Sequence, residues 1–478
     1  MQDLYNIFLH VAFMLMLGYY VMSAMQWYSY KIERVLFHYG KYEWHAIFFV
    51  APVLFYYFTS KLFLPYILVV YGLMLFVWYK KLDKKLVFTA RVKRFFLFLF
   101  LVIFLQDALC VLSFKCDVFG VFIPLVIAMF ASFIFEKILF EGFKKEAKRK
   151  IDNAKNLTVI AITASYGKTS IKNFLHHILS SRFNTYMTPR SVNTLSGIMK
   201  DINENLKPDC EIYIVEAGAR AKGDIDEIAH LVNEHYAIVG CIGEQHIEYF
   251  KSLENIRNTK MELINSKRLK KAFVHVSANV AKNDKIEMFG DDIHNLVSTL
   301  DGINFDILID GKMEHFSSPL LGDFNATNID VCIHVALSLG MNLDEIRKAV
   351  STLNGVEHRL QKIEAGGKII IDDGFNGNFE GMCSSYELVS NYAGRKVIVT
   401  PGIVESTNDA NIKLAKKIDD IFDLVIITGS VNQKILDVHI QKTEKIVIKD
   451  KAKLQDVLAE NTTKGDLILF SNDAPTFL

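Results

Sequence analysis

The strongest chemical signal in the sequence is a short run that combines glycine, lysine and hydroxyl side chains, Ala164-Ser165-Tyr166-Gly167-Lys168-Thr169-Ser170. An uncharged, β-rich run (157–163) precedes it, and a stretch with helical apolar spacing (171–179) follows it. Backbone N–H groups at a helix start attract phosphate, a lysine there reaches the β and γ oxygens, and a threonine hydroxyl can bind Mg²⁺. The run therefore predicts an ATP-binding phosphate loop whose binding residues are Ser165, Gly167, Lys168, Thr169 and Ser170. A plain helix-starting turn is the alternative, because Ile162 stands where the usual pattern has its first glycine.

Three further residues follow that could complete a metal site. Glu216 ends a strand-like run (211–215), His246 follows another such run (236–242), and Lys260 stands in a helix-like segment. Because the carboxyl ends of parallel strands share one edge of a sheet, Glu216 and His246 are expected beside the loop. Taken singly, each has an ordinary explanation, as a helix-starting acid, a structural histidine and a solvated lysine. The three gain weight only as a set.

The order of these motifs resembles the Mur ligase family, whose members form amide bonds with ATP. The matching patterns are T-x-x-x-G-K-T-S, V-E-A-G, E-x-H-I-E and T-K-x-E-L. Four further segments also resemble family motifs, namely 191–198 with Asn193, 322–328 with Asn325 and Asn328, 357–360 with Arg359, and 372–378 with Asp373. The resemblance extends from about Thr158 to the C-terminus.

The resemblance implies a role for each of these residues. Lys168, His246 and Lys260 would be catalytic. Asn193 would lie near the γ-phosphate, Asn325 and Asn328 would face the adenine, Arg359 would reach the phosphates, and Asp373 would hold the ribose. Thr169 and Glu216 would bind a first Mg²⁺ ion and His246 a second. Lys260 would be carbamylated by CO₂ and so become a metal ligand.

The implied reaction is addition of D-alanyl-D-alanine to a UDP-N-acetylmuramoyl tripeptide through an acyl phosphate, in peptidoglycan precursor synthesis. The sequence departs from the family at Ala164, Phe324, Gly374 and Phe375, and the domain that grips the UDP end is not recognisable. Two alternatives therefore stay open. One is another membrane-anchored amide ligase, similar to poly-γ-glutamate synthetases, and the other is a membrane ATPase or nucleotide sensor without ligase activity.

Long apolar runs precede the phosphate loop. Runs 7–27, 95–112 and 118–140 are long enough to cross a bilayer. The stretch 44–79 is interpreted as two shorter spans, because it is broken near Thr59, Ser60, Lys61 and Pro65. Basic residues cluster at 31–41, 80–94 and 144–150, so the positive-inside bias favours five spans with the N-terminus outside. The prediction is a multi-pass protein of the bacterial inner membrane with cytoplasmic catalytic domains. A buried helical core is the alternative.

Composition adds few further constraints. The net charge of +1 argues neither for nor against nucleic acid, and no nucleic-acid partner is expected. The six cysteines contain no C-x-x-C pair, which favours reduced thiols over disulfides or zinc.

The predicted fold is α/β, with transmembrane helices (1–143), a phosphate-loop Mur ligase central domain (150–357) and a Rossmann-like C-terminal domain (360–478). The membrane orientation suggests contact with the enzyme that passes the product to a lipid carrier.

Overall fold

The chain divides into two compact units, Met1–Phe143 and Lys144–Leu478. The computed structural model describes residues 2–28, 30, 32–37, 42–58, 62–82, 84–113, 122–245, 247–375, 377–404 and 406–473. Each unit is described by itself below.

Apolar helices form the first unit. They are α1 (Gln2–Trp27), α2 (Ile32–Phe37), α3 (Tyr42–His45), α4 (Ala51–Phe58), α5 (Phe63–Pro65), α6 (Gly72–Lys81), α7 (Ala90–Ser113) and α8 (Ile123–Asn153), which continues into the second unit. Short π-helical segments, Ala46–Val50 and Tyr66–Tyr71, join α3 to α4 and α5 to α6. By length and composition, three described segments could cross a membrane, namely Ile7–Trp27, Ala90–Leu112 and Ile123–Asn153.

In the middle apolar stretch, the predicted break at 59–61 lies outside the described residues, and at Pro65 the helical segments Phe63–Pro65 and Tyr66–Tyr71 follow each other directly. One helical segment ends at Phe58, and the next begins at Phe63. Neither is among the three segments that could cross a membrane by length and composition, so the predicted total of five spans stays a prediction. Two polar contacts tie the long helices together: His10 lies 2.7 Å from Asp107, and Arg94 lies 2.6 Å from Glu136.

The expectation of reduced thiols is wrong for one cysteine. Cys110, in the last turn of α7, is disulfide-bonded. In the predicted orientation this end of α7 lies on the side of the membrane opposite to the cytoplasm. Disulfides persist on that oxidising side. The second unit follows the expectation, since Cys210, Cys241, Cys332 and Cys383 are free.

A six-stranded parallel sheet organises the first part of the second unit, in the order β2-β3-β1-β4-β5-β6. Its strands are β1 (Thr158–Thr163), β2 (Thr185–Met187), β3 (Ile212–Glu216), β4 (Tyr236–Val239), β5 (Lys271–His275) and β6 (Ile286–Phe289). The associated helices are α9 (Lys168–Ser180), α10 (Leu195–Glu204), α11 (Asp224–Val232), α12 (Ile247–Phe250) and α13 (Leu253–Met261).

Sequence pattern explains why these elements form. The β1 run T-V-I-A-I-T is uncharged and buried, as expected for a central parallel strand covered on both faces. Helix α9 buries Ile171, Phe174, Leu175 and Ile178, whose spacing places them on one helical face. The carboxyl ends of β1, β3 and β4 therefore meet at one edge, above a core that fixes their positions.

A smaller antiparallel sheet follows, with β7 (Ile293–Thr299), β8 (Gly302–Ile309) and β9 (Lys312–Ser318), then α14 (Phe324–Ser338) and α15 (Leu343–Val350). Phe305 and Phe316 of this sheet belong to the same buried cluster as α9 and α14. The sequence patterns did not predict this sheet.

The C-terminal part has a second six-stranded sheet in the order β10-β11-β15-β12-β13-β14, parallel except for β10. Its strands are β10 (Gln361–Ala365), β11 (Lys368–Asp373), β12 (Lys396–Thr400), β13 (Leu424–Thr428), β14 (Glu444–Ile448) and β15 (Leu467–Ser471). Its helices are α16 (Phe379–Ser390), α17 (Asn408–Ile421), α18 (Gln433–His439) and α19 (Leu454–Asn461). The α/β fold with parallel sheets is as predicted.

Candidate active site

The loop between β1 and α9 has the shape of a phosphate cradle. Gly167 adopts φ +83°, a left-handed conformation that favours glycine. A Cβ on Gly167 would lie 2.6 Å from Oδ1 of Asn328 on α14, so the loop and α14 are in close contact. Ser165 and Gly243 exchange two hydrogen bonds, each 3.0 Å, which tie the loop to the segment after β4. Ser170, in the first turn of α9, is buried.

The neighbouring strand accommodates Ala164, which replaces the family's usual glycine. A Cβ on Gly240 would lie 2.9 Å from the Cβ of Ala164. The methyl group of Ala164 therefore fits because Gly240, just after β4, lacks a side chain.

Lys168 lies in the loop with its ammonium turned back onto the backbone. Its Nζ donates to the carbonyls of Ala164 (2.6 Å) and Ser165 (3.1 Å) and to Oε1 of Gln245 (3.3 Å). Burial lowers the pKa of Lys168 to about 8, against the effect of Glu216, which raises it. A bound phosphate would compensate this charge far better than carbonyl groups do.

Glu216, at the carboxyl edge of β3, accepts hydrogen bonds from α9 and from the loop before α10. Its Oε2 accepts from the hydroxyl of Thr169 at 3.1 Å, and its Oε1 accepts from Nδ2 of Asn193 at 3.2 Å. Gly218 allows this approach, since a Cβ there would lie 2.7 Å from Cγ of Asn193. The structure thus brings together the predicted residues Thr169, Glu216 and Asn193.

Sequence reasoning missed Lys172. Its ammonium is completely buried, 3.0 Å from Oε2 of Glu216, and it also donates to the carbonyl of Arg190. Lys172 therefore links Glu216 to the loop that carries Asn193. A signal was present in the sequence, because a lysine in the first turns of a helix is unfavourable to the helix dipole and needs a partner.

Lys260 lies in α13 and is buried. Burial first, and the charge of Lys168 second, lower the pKa of Lys260 well below its ordinary value. The two lysines are therefore close enough for the charge of one to act on the other. Nearby on the same helix, Nε of Arg257 is buried without a hydrogen-bond partner.

The predicted metal ligands are only partly placed. His246 lies outside the described residues. Among the residues that the structure does describe, no group of three or more His, Cys, Asp or Glu side chains could hold a metal. The pair Thr169 and Glu216 supplies hydroxyl and carboxylate oxygens, the donor type that Mg²⁺ prefers, so these residues fit a Mg²⁺ ion.

The predicted adenine residues form a buried pair on α14. Nδ2 of Asn328 donates to Oδ1 of Asn325 at 3.0 Å, and Nδ2 of Asn325 donates to the carbonyl of Leu321 at 2.7 Å. Asn328 also contacts the phosphate loop at Gly167. The pair is therefore placed next to the loop.

Arg359 and Asp373 come from the C-terminal part. Burial lowers the pKa of Arg359, while Asp373 and then Glu216 act to raise it. Nη1 of Arg359 donates to the carbonyl of Phe375 at 2.6 Å, and Asp373 accepts from the backbone N–H of Leu360 at 3.2 Å. The guanidinium is thus held by the loop after β11 and is close enough to Asp373 and Glu216 for their charges to act on it.

Together these features define a class of protein, an α/β nucleotide-binding protein whose phosphate loop is surrounded by lysine and arginine side chains. Residues 162–336 match the Mur ligase middle domain. Over this middle part the chain is therefore similar to Mur ligases.

Several relatives are similar to this chain. The UDP-N-acetylmuramoyl-tripeptide–D-alanyl-D-alanine ligase of Bacillus subtilis is 27% identical over 65% of this chain and 72% of its own length. The enzyme of the same name from Escherichia coli is 26% identical over 52% of this chain and 58% of its length. The crystal structure of MurF ligase from Thermotoga maritima in complex with ADP shares the fold, with a TM-score of 0.60, 24% identity, and coverage of 70% of this chain and 80% of that one.

Proposed function

We propose that this chain is an ATP-dependent, ADP-forming ligase that adds D-alanyl-D-alanine to UDP-N-acetylmuramoyl tripeptide. The observation that carries the proposal is the meeting of Lys168, Glu216 and Thr169 at one sheet edge, in a chain similar to ligases of that name. The cations Lys168, Lys172, Lys260 and Arg359, with Glu216 as the carboxylate among them, make the site receptive to anions.

The reaction joins a carboxylate to an amine, which is unfavourable in water unless the acid is activated. The γ-phosphoryl group of ATP passes to the terminal carboxylate of the tripeptide, giving an acyl phosphate and ADP. The amine of the dipeptide then attacks the acyl carbon, the tetrahedral intermediate releases phosphate and a proton, and an amide bond remains. Lys168 and Arg359 offset the repulsion between the incoming carboxylate and the triphosphate.

Mg²⁺ would add further charge stabilisation at the phosphates. Thr169 and Glu216 are the residues of this chain that would hold one ion, and His246 and a carbamylated Lys260 would hold a second. Asn193 would approach the γ-phosphate, while Asn325, Asn328 and Asp373 would contact the adenosine.

Carbamylation of Lys260 is supported by its surroundings. A neutral amine is the form that reacts with CO₂, and burial beside Lys168 favours that form. The product is an anion, which would relieve the crowding of cations. We expect Lys260→Ala to lose activity and to recover part of it with added formate or acetate. Full activity of Lys260→Ala without any additive would refute the role.

The first unit is proposed to place the protein in the bacterial inner membrane with its catalytic part in the cytoplasm. The three long apolar helices and the basic segments 80–94 and 144–150 support this location. Tags at the two ends of the full chain test it in spheroplasts. The N-terminal tag should be open to protease and the C-terminal tag protected; release of the chain by carbonate washing would contradict the proposal.

Contact with the enzyme that transfers the product to a lipid carrier is a further part of the proposal, since both would lie at the same membrane. Cross-linking in intact cells should capture that enzyme with the full chain. Its absence, together with full function of a chain that starts near Lys150, would contradict the contact.

The central experiment is a phosphate-release assay with the purified full chain. The assay contains all three components, ATP, UDP-muramoyl tripeptide and D-alanyl-D-alanine, and is repeated with each combination of two of them. Release that requires both substrates, with formation of the pentapeptide product by mass spectrometry, is the expected result. Release with neither substrate, or with glutamate in place of the dipeptide, would overturn the proposal.

A further inference from the structure

The segment that leads into the C-terminal sheet contains an unusual bend. His358 and Leu360 adopt φ values of +60° and +53°, the left-handed region that non-glycine residues rarely occupy. Arg359 is the residue between them. Such strained positions persist only where surrounding contacts hold them, and they concentrate at functional sites.

A buried carboxylate anchors the bend through the histidine. Nδ1 of His358 lies 2.6 Å from Oδ2 of Asp372, which is almost fully buried in β11. The other oxygen of Asp372 accepts from the backbone N–H of Gly374 at 3.1 Å. Asp372 is therefore a fixed point of the second sheet, and His358 is attached to it.

The loop after β11 completes the attachment. The N–H of Phe375 donates to the carbonyl of His358 at 3.1 Å, and the rings of these residues meet edge to face at 4.9 Å. The carbonyl of Phe375 also accepts a hydrogen bond from the guanidinium of Arg359. Both the backbone and the side chain of the bend are thus fixed by one loop.

We propose that His358 is a positioning residue, whose pairing with Asp372 holds the left-handed bend and thereby directs Arg359 toward the nucleotide phosphates. Without the pair, the backbone at His358 would relax to the ordinary negative φ, and the guanidinium of Arg359 would leave its hydrogen bond to the carbonyl of Phe375. The inference rests on the nucleotide site of the proposed function.

Two substitutions separate the hydrogen bond from the backbone strain. Asparagine tolerates positive φ and can donate near the place of Nδ1, whereas glycine accepts the backbone conformation and makes no pair. In the ligase assay of the full chain, we expect His358→Asn to keep most of the wild-type kcat. We expect His358→Gly to lower kcat about tenfold, the factor for one lost charge-assisted hydrogen bond, with KM for ATP little changed.

A double-mutant cycle shows whether His358 acts through Arg359. In an Arg359→Ala background, His358→Gly should lower kcat no further, because there is no guanidinium left to position. His315 provides the matched control, since its Nδ1 also lies 2.7 Å from a carboxylate, that of Asp306 on β8. His315→Gly should leave kcat unchanged in both backgrounds.

The outcomes distinguish the inference from the proposed function. A wild-type kcat in His358→Gly would overturn the positioning role, and so would the same tenfold loss in the Arg359→Ala background. Turnover by the wild-type chain would still support the proposed function in both cases. Absence of ADP binding to the wild-type chain by calorimetry would overturn both. The inference is supported if kcat falls tenfold in His358→Gly, stays near wild type in His358→Asn, and falls no further when His358→Gly is added to Arg359→Ala.

Discussion

The two edges of the central sheet both bury titratable groups, yet only one offers them to a ligand. At the carboxyl edge Lys168 and Thr169 are half-buried, so an incoming molecule can reach them. At the amino edge Glu234, just before β4, is completely enclosed, and neither of its carboxylate oxygens has a hydrogen-bond partner. Burial raises the pKa of Glu234 to about 8, with Arg268 opposing the shift.

The comparison shows that a shifted pKa does not by itself mark an active site. Burial also lowers the pKa of His235, beside Glu234, to about 4, and its neutral ring accepts the N–H of Val159 at 3.1 Å. Those groups fix the amino end of the sheet. What distinguishes the carboxyl edge is access, together with several groups that contact one another. Substitutions of the accessible groups at the carboxyl edge should therefore change turnover, and those at the amino edge should change stability and leave turnover unaltered.

The largest expected effect is on turnover at the carboxyl edge. Lys168→Met removes the cation that would meet the phosphates, and kcat for phosphate release should fall by about 10²–10³. Lys200, which is exposed and pairs with Glu204 at 3.8 Å, supplies the control. Lys200→Met should keep the wild-type rate, and equal losses in the two variants would remove the distinction between the edges.

Lys172 tests how the carboxyl edge is held together. Lys172→Met would leave the carboxylate of Glu216 buried without its counter-ion, which should lower the free energy of unfolding by about 3–5 kcal/mol. Thermal melting of the full chain in detergent measures this. Lys172→Met combined with Glu216→Gln should regain much of the stability, because no buried charge is then left unpaired. Equal melting of the single and double variants would contradict the pairing.

The amino edge should respond to pH through Glu234. The folded protein binds the proton of Glu234 more tightly than the unfolded chain, whose carboxyl has a pKa near 4.5. The full stability is therefore present below about pH 4.5, and it is lost as the pH rises toward about 8. Glu234→Gln removes that loss, so the variant should become more stable than wild type by about 3–5 kcal/mol at pH 8.5 and nearly equal at pH 4.

Two measurements complete that experiment. Turnover of Glu234→Gln at pH 7 should match wild type, since the residue does not contact the site. Glu460→Gln, at an exposed position of α19, should show no pH-dependent gain. A gain of the same size in both variants would show that the effect is not one of burial.

The sequence predicted the carboxyl edge far better than the amino edge. Glycine, lysine and hydroxyl residues between a strand and a helix have few explanations, so Lys168 and Thr169 could be assigned a role from local pattern alone. The partners of Lys172 stand 18 or more positions away in the sequence, and the state of Glu234 depends on its complete burial, so a local pattern could not identify either arrangement. The antiparallel sheet β7–β9 was missed for a related reason, because its exposed strand faces carry polar residues that resemble a loop.

The smallest expected effect comes from the C-terminal end of α8, which also contacts the amino edge. Nζ of Lys150 donates to the carbonyl of Asn203 in the last turn of α10, and Nζ of Lys148 lies 3.4 Å from the carbonyl of His230 in the last turn of α11. Cations stabilise helix C-termini by about 0.3–1 kcal/mol. Lys150→Ala should therefore lower the melting temperature by only a few degrees and leave kcat unchanged. Lys145→Ala, on the exposed side of the same helix, should change neither quantity; a loss of turnover in Lys150→Ala would mean that the amino edge also controls the chemistry.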